Sequence, residues 1–330
     1  MLAVHQNVFF SSFILHPSSF PSSLVIAMRH FLDLLDLSPD ELNYLLQETA
    51  ALKEAHARGE RRPYLNGRVL GMVFEKPSLR TRVSFEAAMA QLGGSSIFLG
   101  PADGRLGQRE TVPDFARTLS GYVDGVVLRT FSHRTVEEFA AYSRVPVING
   151  LSDYSHPCQA LADLFTMKEV FGEVRGKTVV FVGDGNNVAR SVAICCGKLG
   201  ARFILAAPAG YGFDEPFLNA FRRLVPGGEL VQNGPPAHAV CLADVIYTDV
   251  WTSMGQENEH QERLSRFAGY QVNAELLARA PAHVRLMHCL PAHRGEEVSD
   301  EVLDDERSIV FQQAENRMHT QKALLKWLLT

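Results

Sequence analysis

The chain has 330 residues, 46% of them hydrophobic, with a formal net charge of −5 and a mean hydropathy of −0.04. That length holds two domains of ordinary size, each with a full core. The slight acidity and the lack of a long basic run exclude a general nucleic-acid binder, and no apolar stretch is long enough to span a membrane.

Residues 1–27 are rich in Ser, Phe and Pro and contain no Lys, Arg, Asp or Glu. They read as a disordered extension or as sequence upstream of a start at Met28. A cleaved targeting peptide is the minority alternative, because such peptides carry early positive charge. Ser38-Pro39-Asp40-Glu41 is a capping box with proline at the first helical position, which predicts a helix to about Arg58. Strand patterns at 68–74, 95–99, 124–128 and 145–148 then alternate with helix patterns at 80–92, 111–121 and 134–143. After Asn149-Gly150 comes a long helical segment, 157–171, within a linking stretch of 156–171. A second alternation has strands near 177–182, 202–206, 244–248, 284–288 and 308–311, and an amphipathic segment, 313–329, closes the chain. Alternation of this kind predicts an α/β fold of two doubly wound parallel-sheet domains, 28–155 and 172–312, joined by a helix. Chemistry in such sheets sits at the carboxyl ends of strands.

The most informative of those strand ends is Glu75-Lys76-Pro77-Ser78-Leu79-Arg80-Thr81-Arg82, between an apolar strand and a helix. A helix start offers free N–H groups and a favourable dipole to an anion, and two arginines add forked donors. Taken alone, the same residues describe a solvated basic helix start. Gly183-Asp184-Gly185-Asn186-Asn187-Val188 lacks the third glycine of a dinucleotide site, and no acid ends the next strand. A nicotinamide dehydrogenase is therefore disfavoured, and Asn187 offers both donor and acceptor to an amino acid. His156, in His156-Pro157-Cys158-Gln159, opens a helix, where its cation is disfavoured and a neutral donor remains. Asp249, at the head of Asp249-Val250-Trp251-Thr252-Ser253-Met254-Gly255-Gln256, can pair with an ammonium group. Cys289, in His288-Cys289-Leu290-Pro291, can take part in proton transfer beside acidic and imidazole groups. Ala314-Glu315-Asn316-Arg317 brings one more guanidinium. The five cysteines form no CxxC pair and no metal-ligand spacing, which suggests reduced thiols and a cytoplasmic protein.

Together these motifs, in this order, resemble the ornithine carbamoyltransferases from about Met28 onward. The resemblance implies that Ser78, Leu79, Arg80 and Thr81 grip carbamoyl phosphate, with Arg129, His156, Gln159, Cys289, Leu290 and Arg317 completing that half. Leu79 departs from the threonine of many relatives, and a main-chain N–H serves the phosphate there. Asn187, Asp249, Ser253 and Met254 are implied to hold L-ornithine, and Arg80, Arg129, His156, Asp249 and Cys289 to act in catalysis. The family further implies that 28–155 together with a returning C-terminal helix, 313–330, binds carbamoyl phosphate, while 172–312 binds ornithine. It implies a homotrimer with sites at subunit interfaces, toward which Arg105 is the candidate polar residue, and no metal or organic cofactor. Aspartate carbamoyltransferases share the first motifs but lack the Ser-Met-Gly loop and carry a lysine where Gln108 stands. Ornithine is thus the expected acceptor, ahead of aspartate, putrescine or acetylornithine, and a non-catalytic binding protein on the same fold is the alternative from another class.

Overall fold

The structure is a computed structural model and describes residues 29–103, 106–252 and 257–330. A 3-10 turn, Leu34–Asp36, leads into α1 (Pro39–Ala57). The capping box is formed: Ser38 Oγ accepts the Glu41 N–H at 3.2 Å, and Glu41 Oε2 accepts the Ser38 N–H at 2.8 Å. Then β1 (Val69–Phe74), α2 (Leu79–Gln91), β2 (Ser95–Leu99), α3 (Val112–Leu119), β3 (Gly125–Arg129), α4 (His133–Tyr142) and β4 (Val147–Leu151) alternate. Their strands make a parallel sheet in the order β2-β1-β3-β4.

Helix α5 (Pro157–Phe171) leads into the second unit. This comprises β5 (Thr178–Val182), α6 (Asn187–Leu199), β6 (Arg202–Ala206), α7 (Glu215–Leu224), β7 (Glu229–Asn233), α8 (Pro236–Ala239), β8 (Val245–Thr248), α9 (His260–Phe267), α10 (Ala274–Ala278), β9 (Arg285–His288) and α11 (Asp300–Leu303). The five strands are again parallel, in the order β7-β6-β5-β8-β9. Helices cover both faces, so the central strands β3 and β5 are near-continuous apolar runs. The last helix, α12 (Val310–Leu329), packs on α5, α1 and α2, against the first sheet's side of the molecule. Helix α5 is buried on every side from Pro157 to Met167, as a helix wedged between two layers must be. Lys198 of α6 ties the two units together by donating to the carbonyls of Leu34 (2.7 Å), Leu35 (3.1 Å) and Leu37 at the 3-10 turn.

Two readings of the sequence change. The strand expected at 308–311 reduces to a single bridge, Ser308 to Leu286, and Val310-Phe311 already belong to α12. An edge strand, β7, was not foreseen, because Glu229-Leu230-Val231-Gln232-Asn233 is too short and polar to show a strand pattern.

Strand order reverses between β1 and β3 in one sheet and between β5 and β8 in the other, and each reversal opens a crevice at the strands' carboxyl ends. Both crevices open into one cleft of about 1190 Å³. No helix among the described residues is long and apolar enough to cross a membrane.

Candidate active site

One wall of the cleft is built at the β1–α2 junction and the end of β3. Ser78 caps α2, its Oγ accepting the Thr81 N–H at 3.3 Å and lying 3.0 Å from Thr81 Oγ1. Leu79 lines the cleft and is 75% exposed. Arg80 lines the cleft, and its guanidinium has no hydrogen-bond partner among the described residues. Arg82 turns away: its Nε donates to Glu86 at 3.0 Å, and its guanidinium lies 3.9 Å from the Phe98 ring centroid.

Two more guanidiniums enter from other elements. Arg129, the last residue of β3, is buried, its Nε has no partner, and no acid pairs with it among the described residues. Burial, then the charges of Arg317 and Arg80, lower its pKa to about 10. Arg317 of α12 is also buried; its Nη2 donates to Thr81 Oγ1 at 3.0 Å while its Nε is unpartnered. His156 is the residue before α5, and its Nδ1 is buried without a partner. Burial first, then Arg317 and Arg129, hold its pKa well below the usual imidazole range, so the ring is neutral. Unpaired buried charge is costly, so three arginines around a neutral imidazole form a site that a dianion completes.

The other wall follows β5, β8 and β9. Asn186 caps α6, its Oδ1 accepting the N–H groups of Val188 and Ala189 at 3.0 Å each. Its Nδ2 donates to Asp249 Oδ2 at 2.8 Å. Gly185 is required by close approach, since a Cβ there would lie 2.9 Å from the backbone of Gly212 and Phe213. Asp249 Oδ1 also accepts the Cys289 thiol at 2.9 Å and the Val250 N–H at 2.8 Å. Burial and the neighbouring Asp249 push the Cys289 pKa well above its ordinary value, so the group is a thiol that donates and not a thiolate. Leu290 has φ 55°, the one positive φ outside glycine among the described residues. Its N–H donates to His288 Nδ1 at 2.8 Å, and His288 Nε2 pairs with Glu297 Oε1 at 3.1 Å, which braces the turn.

Thus the cleft unites Ser78, Leu79, Arg80, Arg129, His156, Asn187, Asp249, Cys289, Leu290 and Arg317. Thr81 and Gln159 stand behind its wall, Thr81 under Arg317 and Gln159 buried one helical turn beyond His156. Asn187 is engaged already, its Nδ2 donating to the Ser152 carbonyl at 2.6 Å. Arg105, Ser253 and Met254 lie outside the described residues. Asn186 was missed by the sequence reading, as was the pair Asp184–Arg263 at 2.6 Å, in which Arg263 also holds the Trp251 carbonyl at 3.0 Å. A hydrogen-bonding residue just before a helix was a visible signal for Asn186; Arg263 had none. Asp249, His288 and Cys289 bring ligand-type atoms within 4.8 Å of one another, as do His293, Glu296 and Glu297, but both nitrogens of His288 are already engaged.

Comparison with known proteins finds similarity over both halves of the chain. Residues 29–169 match the family model described as aspartate/ornithine carbamoyltransferase, carbamoyl-P binding domain, and 175–328 match its Asp/Orn binding domain. The chain is 52% identical over 303 residues to an ornithine carbamoyltransferase of Bacillus subtilis, covering 91% of this chain and 94% of that one. It is 51% identical over 304 residues to the anabolic ornithine carbamoyltransferase of Pseudomonas aeruginosa, covering 92% and 98%. Among solved structures, the ornithine carbamoyltransferase from Pyrococcus furiosus superposes with a TM-score of 0.89 at 48% identity, covering 91% of this chain and 97% of that one.

Proposed function

The chain belongs to the aspartate/ornithine carbamoyltransferase family, and we infer that it transfers the carbamoyl group of carbamoyl phosphate to the δ-amine of L-ornithine, giving L-citrulline and phosphate. The observation that carries this is the set Arg80, Arg129, Arg317 and His156, cationic or neutral donors without acid partners, facing the acidic pair Asp249–Cys289 across one cleft. A dianionic donor fits the first wall and an ammonium-bearing acceptor fits the second.

In this reading the phosphate sits at the α2 N-terminus, on Ser78 and the first-turn N–H groups of Leu79, Arg80 and Thr81, between Arg80, Arg129 and Arg317. Neutral His156 and Arg129 polarise the carbonyl, so oxyanion charge develops toward donors already in place. Gln159 and the Leu290 carbonyl receive the carbamoyl amino group. Asn187, Asp249, Ser253 and Met254 hold ornithine with its side-chain amine toward the carbonyl carbon. The amine nitrogen forms the new C–N bond, the C–O bond to phosphate breaks, and the amine proton leaves with the phosphate. Asp249 and the Cys289 thiol orient that amine. The domain roles follow: 28–155 with α12 serves carbamoyl phosphate, and 172–312 serves ornithine. The relative named anabolic supports the biosynthetic direction, toward arginine. A homotrimer is supported by exposed apolar residues beside the phosphate motif, Leu79 at 75%, Val83 at 51% and Ile97 at 48%.

Citrulline formation from carbamoyl phosphate and ornithine tests the reaction, with aspartate, putrescine and acetylornithine as alternative acceptors. The expected result is the highest kcat/KM with ornithine. Faster carbamoylation of any other acceptor overturns the assignment.

A further inference from the structure

We propose that Asp163 is a positioning residue: as a carboxylate it decides which way round the amides of Gln159 and Gln313 lie, and so presents the Gln159 carbonyl oxygen to the amino group of carbamoyl phosphate. The proposal rests on the reading above that Gln159 receives that amino group.

Asp163 lies on α5 one turn beyond Gln159 and is 1% exposed. Its Oδ1 accepts from Gln159 Nε2 at 2.9 Å and from Gln313 Nε2 at 2.7 Å, and its Oδ2 accepts from the Tyr247 hydroxyl at 3.1 Å. These donors come from α5, α12 and β8, so the network links the layers that surround the cleft. A carboxylate only accepts, so each amide facing it must turn its NH2 inward and its oxygen outward. For Gln313 that outward oxygen accepts the His288 N–H at 2.9 Å, one residue before Cys289. For Gln159 the outward Oε1 is buried and has no partner. An orphaned buried acceptor is rare in a folded protein and calls for a donor from elsewhere. Of the two ends of carbamoyl phosphate, only the amino end can donate.

The same geometry makes the arrangement sensitive to protonation. Facing Asp163 are Tyr247 from β8, Gln313 and Arg317 from α12, Cys195 and Cys196 from α6, and Cys289 after β9. Burial raises its pKa to about 7 against the pull of its three donors. Protonated Asp163 carries an O–H that needs an acceptor: the Tyr247 oxygen can take it only by giving up its own acceptor, whereas the Gln159 amide can turn round without breaking another bond, since its Oε1 has no partner.

Acetyl phosphate, which has a methyl group where carbamoyl phosphate has its amino group, is the probe, and dissociation constants of both are measured in the full chain. The native protein is expected to prefer carbamoyl phosphate. Asp163→Leu, which removes the acceptor that both amides face, is expected to weaken carbamoyl phosphate by about tenfold, the worth of one hydrogen bond, while acetyl phosphate changes by less than about twofold. In the native chain, needing no variant, the preference should shrink as pH falls from about 8 to about 6, across the Asp163 pKa of about 7. Phosphate protonation cancels in the ratio of the two ligands. Equal weakening of both phosphates in the variant, or a native preference that is flat with pH, overturns the proposal. A native protein that binds both equally well removes the Gln159 reading itself.

Discussion

Arg129 and Arg317 are buried guanidiniums without acid partners among the described residues, and each is pushed toward deprotonation by burial and by other positive charge. Removing one therefore separates stability from function. Arg129→Leu should raise the unfolding free energy of the unliganded protein by about 1–3 kcal/mol while abolishing turnover, because a repelled, desolvated cation is replaced by a hydrophobe. Chemical denaturation without ligand, paired with the citrulline assay, checks both halves. Loss of stability together with activity would show Arg129 to be structural. Arg80 is less enclosed and lines the cleft. Arg80→Ala should cost about 3 kcal/mol or more in kcat/KM, the loss expected for a charge-assisted phosphate ligand that also meets developing charge. Near-normal kcat/KM would remove the phosphate from this motif.

At the level of elements, α12 carries His319, which is 1% exposed and 5.2 Å from the His56 ring; neither ring nitrogen is hydrogen-bonded, and Nε2 lies 3.6 Å from Glu315 Oε1. Burial, then Lys322 and Lys53, lower its pKa to about 3. The unfolded chain takes up this proton near pH ~6.5 and the folded one only near the lower value, so this group destabilises the fold as pH drops between them. Asp163, raised to about 7, acts in the opposite sense below that pH, so the comparison must be made against a variant. Relative to His319→Gln, the native protein should lose up to about 1.4 kcal/mol per pH unit on acidification below pH ~6.5. Parallel stability curves would place the ring in a wetter setting. What was legible in the sequence follows the same local logic. Ser38-Pro39, Ser78 and His156 declare their helix starts through nearest neighbours. The run Ser308-Ile309-Val310-Phe311 misled because an apolar tetrad fits a buried strand or a first helical turn equally well. Asn186–Asp249 and Asp184–Arg263 bridge 63 and 79 positions, and only the sheet order brings them together.

For the whole molecule, Leu79, Val83 and Ile97 form an exposed apolar set on α2 and β2 beside the phosphate motif. In the proposed trimer a second copy of the chain covers these residues. Sedimentation equilibrium should give three times the chain mass, and Val83→Asp should shift the distribution toward the monomer with a parallel loss of turnover. A native monomer would contradict the shared-site reading. The position of α12 has a different consequence, one of timing. Arg317 belongs in space to the half of the molecule that is translated first, yet it is encoded after the whole of the second sheet. Domains emerging from the ribosome generally fold in N-terminal order. Here the earliest-made half waits, with its Thr81 hydroxyl and the flank of α5 uncovered, until the later half has been synthesised. A nascent chain halted before Val310 lacks Arg317 and leaves the wall of Thr81 incomplete, so the first half of the cleft is finished only when the last helix is made.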